Sequence, residues 1–302
     1  MHGMGDTVCA LPMLKVLRMN FPDSEITVLI KFASTADIIG ASHIAIDHIV
    51  CIDIYKDISR SLSVLWELRN RKFDYGISSC ITPVRKANFF MKIVKPQYIV
   101  GWQNQGLFFD FLEDKCHFVE ANLLSIKEIC NIPQRKLYPK IYTDEITITK
   151  IREKIGAENL KKKIVGICIG NADYSLKNRF LRTGKVYTRS WGIQNMSALI
   201  QLLAQENVTI ALIGGKAEIP LVGMQHIADA LGTKTVSVFG PTNPKTHGAY
   251  SDKATFLTHT NSCPRQFCYG TSYYTHCPIQ RKCLSSITPI QAFRAVMDSM
   301  FS

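Results

Sequence analysis

Short apolar runs separated by longer amphipathic stretches set the rhythm of the chain. Ile26-Thr27-Val28-Leu29-Ile30 is entered through the turn signal Pro22-Asp23, and this pattern predicts a buried strand. The runs 49–54, 75–79 and 98–101 read the same way. Between them, helical patterns predict helices over 8–19, 62–71 and 84–94. The second half repeats the alternation. Strands are expected at 164–169, 208–214 and 235–239, with a weaker one at 255–257 and helices at 196–205 and 289–300. Such alternation implies βα units and a parallel sheet, so the expected class is α/β and doubly wound.

A chain of 302 residues exceeds what one compact core usually covers, given domains of about 150 residues. Two Rossmann-like domains are expected, over 1–142 and 143–302, with the boundary in the polar, Pro-containing stretch 133–149. Hydrophobic residues at 46% and charged residues at 20% exclude a disordered or fibrous chain. No apolar run approaches the ~20 residues of a spanning helix. Met1-His2-Gly3-Met4-Gly5-Asp6 has neither a basic region nor an apolar core, so a secretory leader is not expected. The ten cysteines then read as reduced thiols, and the expected location is cytoplasmic.

Two features depart from a complete doubly wound pattern. A Gly-rich loop of this kind ordinarily follows a first strand, and here it opens the chain. Only 19 residues, 216–234, separate the strand ending at Gly214-Gly215 from the one starting at Thr235. That interval holds one helix, expected over 221–231. The C-terminal domain is therefore expected to be incomplete by one strand, bringing strands 208–214 and 235–239 closer together.

Charge narrows the partners. Lys and Arg number 36 against 24 Asp and Glu, a formal net charge of +12. Residues 150–189 hold eleven basic residues against three acids, two-thirds of the excess. So local a patch suits phosphorylated small molecules or an anionic membrane face better than nucleic acid. No nucleic-acid motif is present. The run 177–189, with five basic residues and no acid, is expected to form a loop lining the donor side of a cleft.

Three clusters carry candidate chemistry. In the first, His2-Gly3-Met4-Gly5-Asp6-Thr7, the glycines allow a tight turn and close approach. Asp6 stands at a helix start, as an N-cap or as a general base. In the second, Gly223-Met224-Gln225-His226 opens a helix ahead of Val238-Phe239-Gly240-Pro241-Thr242-Asn243-Pro244. Free amides there suit a diphosphate, and His226 would add a hydrogen bond or be structural. In the third, Cys263, Cys268, Cys277 and Cys283 lie within 21 residues, yet none of their spacings is CxxC. They read as reduced thiols or an occasional disulfide, or as a weak candidate for a metal.

The opening HGMGDTVCALPMLKVLR, the stretch ALGTKTVSVFGPTNP, the triplet Arg189-Ser190-Trp191 and the run 117–124 resemble glycosyltransferase family 9, the ADP-heptose:lipopolysaccharide heptosyltransferases. The resemblance implies a GT-B-like fold, with two Rossmann-like domains facing a cleft. Domain 1–142 would take the acceptor, and domain 143–302 the nucleotide-sugar. It implies an inverting transfer of a heptose from an ADP-sugar to a lipopolysaccharide-core acceptor, with no cofactor and no metal. Asp6 takes the family's base position and Arg189 its diphosphate-binding position. Gly3, Gly5, Gly223, Met224 and His226 fall on substrate-binding positions. Leu221 stands where the family carries an acid. The partners implied are an ADP-heptose-like donor, an anionic lipopolysaccharide-core acceptor and the cytoplasmic face of the inner membrane. The alternative reading is a non-catalytic family member that binds nucleotide or anionic glycolipid without turnover.

Overall fold

The structure is a computed structural model that describes residues 3–54, 56–101, 116–168, 191–213, 224–261, 263, 265–269, 271–275 and 277–301. The chain divides into two compact units, Met1–Tyr142 and Thr143–Ser302.

In the first unit the order is α1 (Met4–Asn20), β1 (Thr27–Ile30), α2 (Ala33–Ala41), β2 (His48–Cys51), α3 (Ile58–Asn70), β3 (Tyr75–Ile77), α4 (Val84–Val94), β4 (Tyr98–Val100) and α5 (Phe118–Leu124). β1 pairs in parallel with β2, Thr27 opposite His48, and β3 with β4, Tyr75 opposite Tyr98. α1 is largely apolar, and Val8 to Leu14, Val16 and Leu17 are all buried, with Lys15 and Met19 left exposed. A helix of that composition belongs inside a core. Pro12 withholds one N–H from its ladder, and the enclosing side chains hold the helix together across the gap. Beneath the strands, Ile52, Leu65 and Leu68 pack with Leu29, Phe73 and Phe90.

The lower end of α1 is fastened by Arg18. Its guanidinium donates to the carbonyls of Ala45 at 2.8 Å, Pro22 at 2.8 Å and Ser24 at 2.7 Å, and to Asp47 at 2.5 Å. Asp47 also accepts from the Ile26 N–H at 2.7 Å. That backbone bond, with Arg18 assisting, lowers the carboxyl's pKa. One helix end is thus tied to the lead-ins of both β1 and β2.

In the second unit the order is α6 (Glu145–Ile155), α7 (Ala157–Leu160), β5 (Lys163–Cys168), α8 (Ile193–Leu203), β6 (Val208–Ile213), α9 (Met224–Ala230), β7 (Thr235–Phe239), α10 (Pro244–His247), β8 (Ala254–Thr258), α11 (Ser272–Thr275), α12 (Lys282–Ser285) and α13 (Pro289–Phe301). β5 pairs in parallel with β6, and β7 with β8. Ile167, Trp191, Leu199, Leu203, Ile287 and Ala292 form the core, with Val238 and Leu257 packed against it. Both strand pairs therefore share one apolar cluster under α8 and α13.

The sequence-based expectations differ from the structure at several ends. α1 begins a turn earlier than residue 8, and α2 and α6 have no counterpart among them. Among the described residues the second unit has four strands. The approach of β6 to β7 is not met by any ladder there, because β6 pairs with β5 and β7 with β8. Of the helix expected over 221–231, Met224–Ala230 is helical. The run 177–189 lies outside the described residues.

Candidate active site

Gly3 caps α1 with extended backbone, φ −130° and ψ 170°. Its N–H donates to Asp6 Oδ2 at 3.0 Å, and its carbonyl accepts from the Thr7 N–H at 3.1 Å and the Thr7 hydroxyl at 2.9 Å. The N-cap position expected for Asp6 is therefore taken by Gly3. Asp6 sits in the first turn and reaches back to the capping residue, as the acid of a capping box does. The helix starts early because Gly3 supplies the extended backbone and Asp6 the acceptor. A Cβ on Gly3 would stand 3.3 Å from Asp6 Oδ2, so the glycine leaves room beside the carboxylate. Gly5 is buried within the same turn and Asp6 is half-buried. A half-buried carboxylate on the first turn of an enclosed helix can accept a proton from a bound hydroxyl.

The surroundings of that turn are built by Asn122. Its Oδ1 accepts from the Ser79 hydroxyl and the Cys80 N–H, both at 3.0 Å, and its Nδ2 donates to the Cys9 carbonyl at 3.2 Å. This one amide joins α1, α5 and the loop after β3. Burial pushes the Cys80 thiol well above its ordinary pKa, and Cys9, Cys116 and Asp6 raise it further. His117 caps α5, accepting the Val119 N–H on Nδ1 at 3.1 Å, while Glu120 accepts the His117 N–H at 3.4 Å.

In the second unit, Met224 and His226 lie half-buried on α9. Arg189 and Gly223 fall outside the described residues. Trp191 is buried and donates its indole N–H to the Ile287 carbonyl at 2.9 Å, so it belongs to the core. Asp229, nearly fully buried, accepts from the N–H groups of Tyr250 at 2.9 Å and Ser251 at 3.0 Å and from the Ser251 hydroxyl. These bonds anchor α9 to the turn before β8. β7 runs out into the Gly-Pro-Thr-Asn loop. There a Cβ on Gly240 would stand 2.5 Å from Leu284 Cγ, too close for any side chain without movement. Asn243 caps α10 by accepting the Lys245 N–H at 2.9 Å, with Pro244 as its first residue.

Around this loop sits an aromatic group. His247 and Tyr269 pack edge-on at 5.4 Å, as do Tyr269 and Tyr274 at 5.2 Å, and Tyr269 N–H donates to the Pro241 carbonyl at 2.9 Å. Gln225 Nε2 donates to the His247 carbonyl at 2.9 Å, while its buried Oε1 has no partner among the described residues. Sequence reasoning missed Asn122, Asp229, His247 and Tyr269. An acid inside the apolar helix pattern at 229 was the one available signal.

Cys263, Cys268, Cys277 and Cys283 are free thiols. Burial foremost, and the neighbouring thiols after it, push Cys283 up to about 11 and raise Cys268. Among the described residues no group of three or more His, Cys, Asp or Glu is placed to hold a metal ion. No helix among them is long and apolar enough to cross a membrane.

Each unit thus carries parallel strands crossed by helices, the first with a carboxylate at a Gly-capped helix start and the second with a Gly-Pro-Thr-Asn loop after β7. Residues 222–275 match the model of glycosyltransferase family 9 (heptosyltransferase), which bears out the resemblance read from the sequence. That segment runs from α9 through the loop after β7 to α11. No curated protein matches the chain by sequence. Among solved structures, an E. coli ADP-heptose lipopolysaccharide heptosyltransferase II is similar, with a TM-score of 0.70 at 16% identity over 99% of this chain and 97% of that one. A family 9 glycosyltransferase from Veillonella parvula gives 0.70 at 18% identity, covering 100% and 96%. An E. coli heptosyltransferase solved with ADP gives 0.63 at 15% identity, covering 99% and 100%. At these identities the likeness is one of fold.

Proposed function

We propose that the protein transfers a heptose or related sugar from an ADP-sugar to an anionic lipopolysaccharide-core acceptor, with inversion at the sugar carbon. Asp6 takes the proton from the acceptor hydroxyl as its oxygen attacks the anomeric carbon. The carbon–oxygen bond to the diphosphate breaks and ADP leaves. Unit 1–142 serves the acceptor and unit 143–302 the donor. Arg189 meets the diphosphate, with Gly223, Met224 and His226 alongside, and Gly3 and Gly5 keep the approach to Asp6 open. Neutralising the departing diphosphate by cationic side chains and backbone amides requires no metal. The observation that carries the reading is the family match over 222–275. It falls on the helix and loop to which donor binding is assigned, while Asp6 holds a first-turn position in the other unit.

The basic patch supports an anionic partner. Lys150, Arg152, Lys154, Lys161, Lys162 and Lys163 are all exposed, in a position to approach an anionic glycolipid or the cytoplasmic face of the inner membrane. Leu221, where the family carries an acid, favours a second reading in which the protein binds nucleotide without turnover. Calorimetric titration with ADP, ADP-heptose and duplex DNA separates the readings from a nucleic-acid role. Saturable binding of both nucleotides and none of DNA is expected, and Arg189→Ala should weaken ADP binding by a margin that shrinks as salt rises. Absence of nucleotide binding would overturn both nucleotide readings.

A further inference from the structure

α3 carries two apolar faces. Ser61, Leu65 and Leu68 are buried, and the two leucines pack with Ile52, Phe73 and Phe90 in the core of the first unit. That contact is all an ordinary amphipathic helix requires. Ile58, Leu62 and Trp66 recur one helical turn apart and form a second stripe, about 12 Å long at ~1.5 Å per residue. All three are exposed, at 62%, 41% and 59%. Ser59 and Ser63, each one position further on, border the stripe and are too short to shield it. A single exposed apolar residue is ordinary, whereas a continuous stripe with a tryptophan in it marks a contact surface.

The charge around the stripe has one sign. The Arg69 guanidinium stands 4.9 Å from the centre of the Trp66 ring. α4 packs beside α3 and exposes Phe89, at 42%, with Arg85 one turn before it and Lys92 one turn after it. α4 contains no acid, and Glu67 is the single one in α3. Among the described residues, none of Arg60, Lys72, Arg85, Lys92 and Lys95 is ion-paired, and all five are exposed. Apolar side chains beside uncompensated cations call for a partner that is apolar within and anionic at its surface. A bilayer with anionic headgroups is both. Tryptophan and aliphatic side chains enter its acyl boundary, while Arg and Lys extend their charges to the phosphates. A second copy of this chain would instead set Arg and Lys against Arg and Lys, which repel.

We infer that the α3–α4 face is a docking surface for an anionic phospholipid bilayer, with Leu62 and Trp66 entering the acyl boundary and Arg85 and Lys92 meeting headgroup phosphates. This rests on the membrane partner of the proposed function and adds an apolar anchor in the first unit. The assay holds neither donor nor acceptor, so either reading can fail alone. The full chain is sedimented with vesicles of phosphatidylglycerol and phosphatidylcholine, and with vesicles of phosphatidylcholine only. Binding to the mixed vesicles and little to the neutral ones is expected. Leu62→Ser with Trp66→Ser should weaken binding about tenfold or more at an unchanged thermal midpoint, since both side chains are exposed in the free protein. Arg85→Gln with Lys92→Gln should weaken it by a similar margin at low salt and by less as salt rises. Acyl chains brominated near the headgroup should quench tryptophan fluorescence in the parent. Trp66→Phe should still bind and lose most of that quenching. Equal binding by the double serine variant, or full quenching in Trp66→Phe, would overturn the inference. So would failure of the parent to bind, which would leave the face to an acidic protein partner. Self-association that the serine substitutions abolish would give the face to a second copy and contradict it as well.

Discussion

Asn122 has no solvent exposure, and its side-chain amide joins Cys9, Ser79 and Cys80. Removing it leaves the buried Cys80 N–H without this acceptor, an expensive group to strand, and takes one hydrogen bond from the Cys9 carbonyl. Asn122→Ala is expected to destabilise the first unit by about 2–3 kcal/mol in urea unfolding. Because the same bonds hold the first turns of α1 near Cys80, activity should fall at temperatures where the protein is still folded. A variant as stable as the parent would contradict this positioning role. The cysteines give a pH test at the same scale. Cys283 rises from 9.0 to about 11, chiefly through burial, so its neutral form is favoured in the folded state. The corresponding stability is present in full below pH 9 and is lost as pH rises toward about 11. Cys283→Ser should flatten the alkaline fall in thermal midpoint across that window. Exposed Cys51 should react with iodoacetamide well before buried Cys268 and Cys283.

At the scale of elements, the loop after β7 depends on one glycine. Gly240→Ala would drive a methyl group toward Leu284, itself buried, and is expected to cost about 1–3 kcal/mol by overpacking. In a Leu284→Ala background the penalty should shrink, since the two changes share one space. Additive costs in the double mutant would show that the glycine is needed for another reason. The elements also show what was legible in the sequence. The strands at 235–239 and 26–30 and the helix at 84–94 are found almost to the residue, because their apolar runs are bounded by Gly, Pro or Asp. α2 was not anticipated, since Ala33-Ser34-Thr35-Ala36-Asp37 carries little hydrophobic periodicity. α6 buries nothing, so no apolar periodicity marks it, and its start shows only in the Asp144 cap, which accepts the Thr147 N–H at 2.7 Å, and in Glu145 on the first turn. Asp6 was recognised as a helix-start residue, but its place on the first turn depends on Gly3 serving as the cap. The partners of Asn122 lie 42 and 113 residues away, and no local pattern encodes such a meeting.

On the scale of the whole molecule, two α/β units divide the work of the proposed reaction. The first offers a carboxylate on a buried helix, and the second a helix and loop within the segment matching glycosyltransferase family 9. The most direct measurement is ADP release from ADP-heptose in the presence of a lipopolysaccharide-core acceptor, comparing the parent with Asp6→Asn. Asn retains an acceptor for the Gly3 N–H but cannot take a proton at the acceptor hydroxyl. Asp6→Asn should therefore unfold at nearly the parent midpoint and bind ADP equally well, while transfer falls by about 10²–10⁴-fold. Transfer by Asp6→Asn at the parent rate, or nucleotide binding by the parent with no transfer at all, would contradict the account.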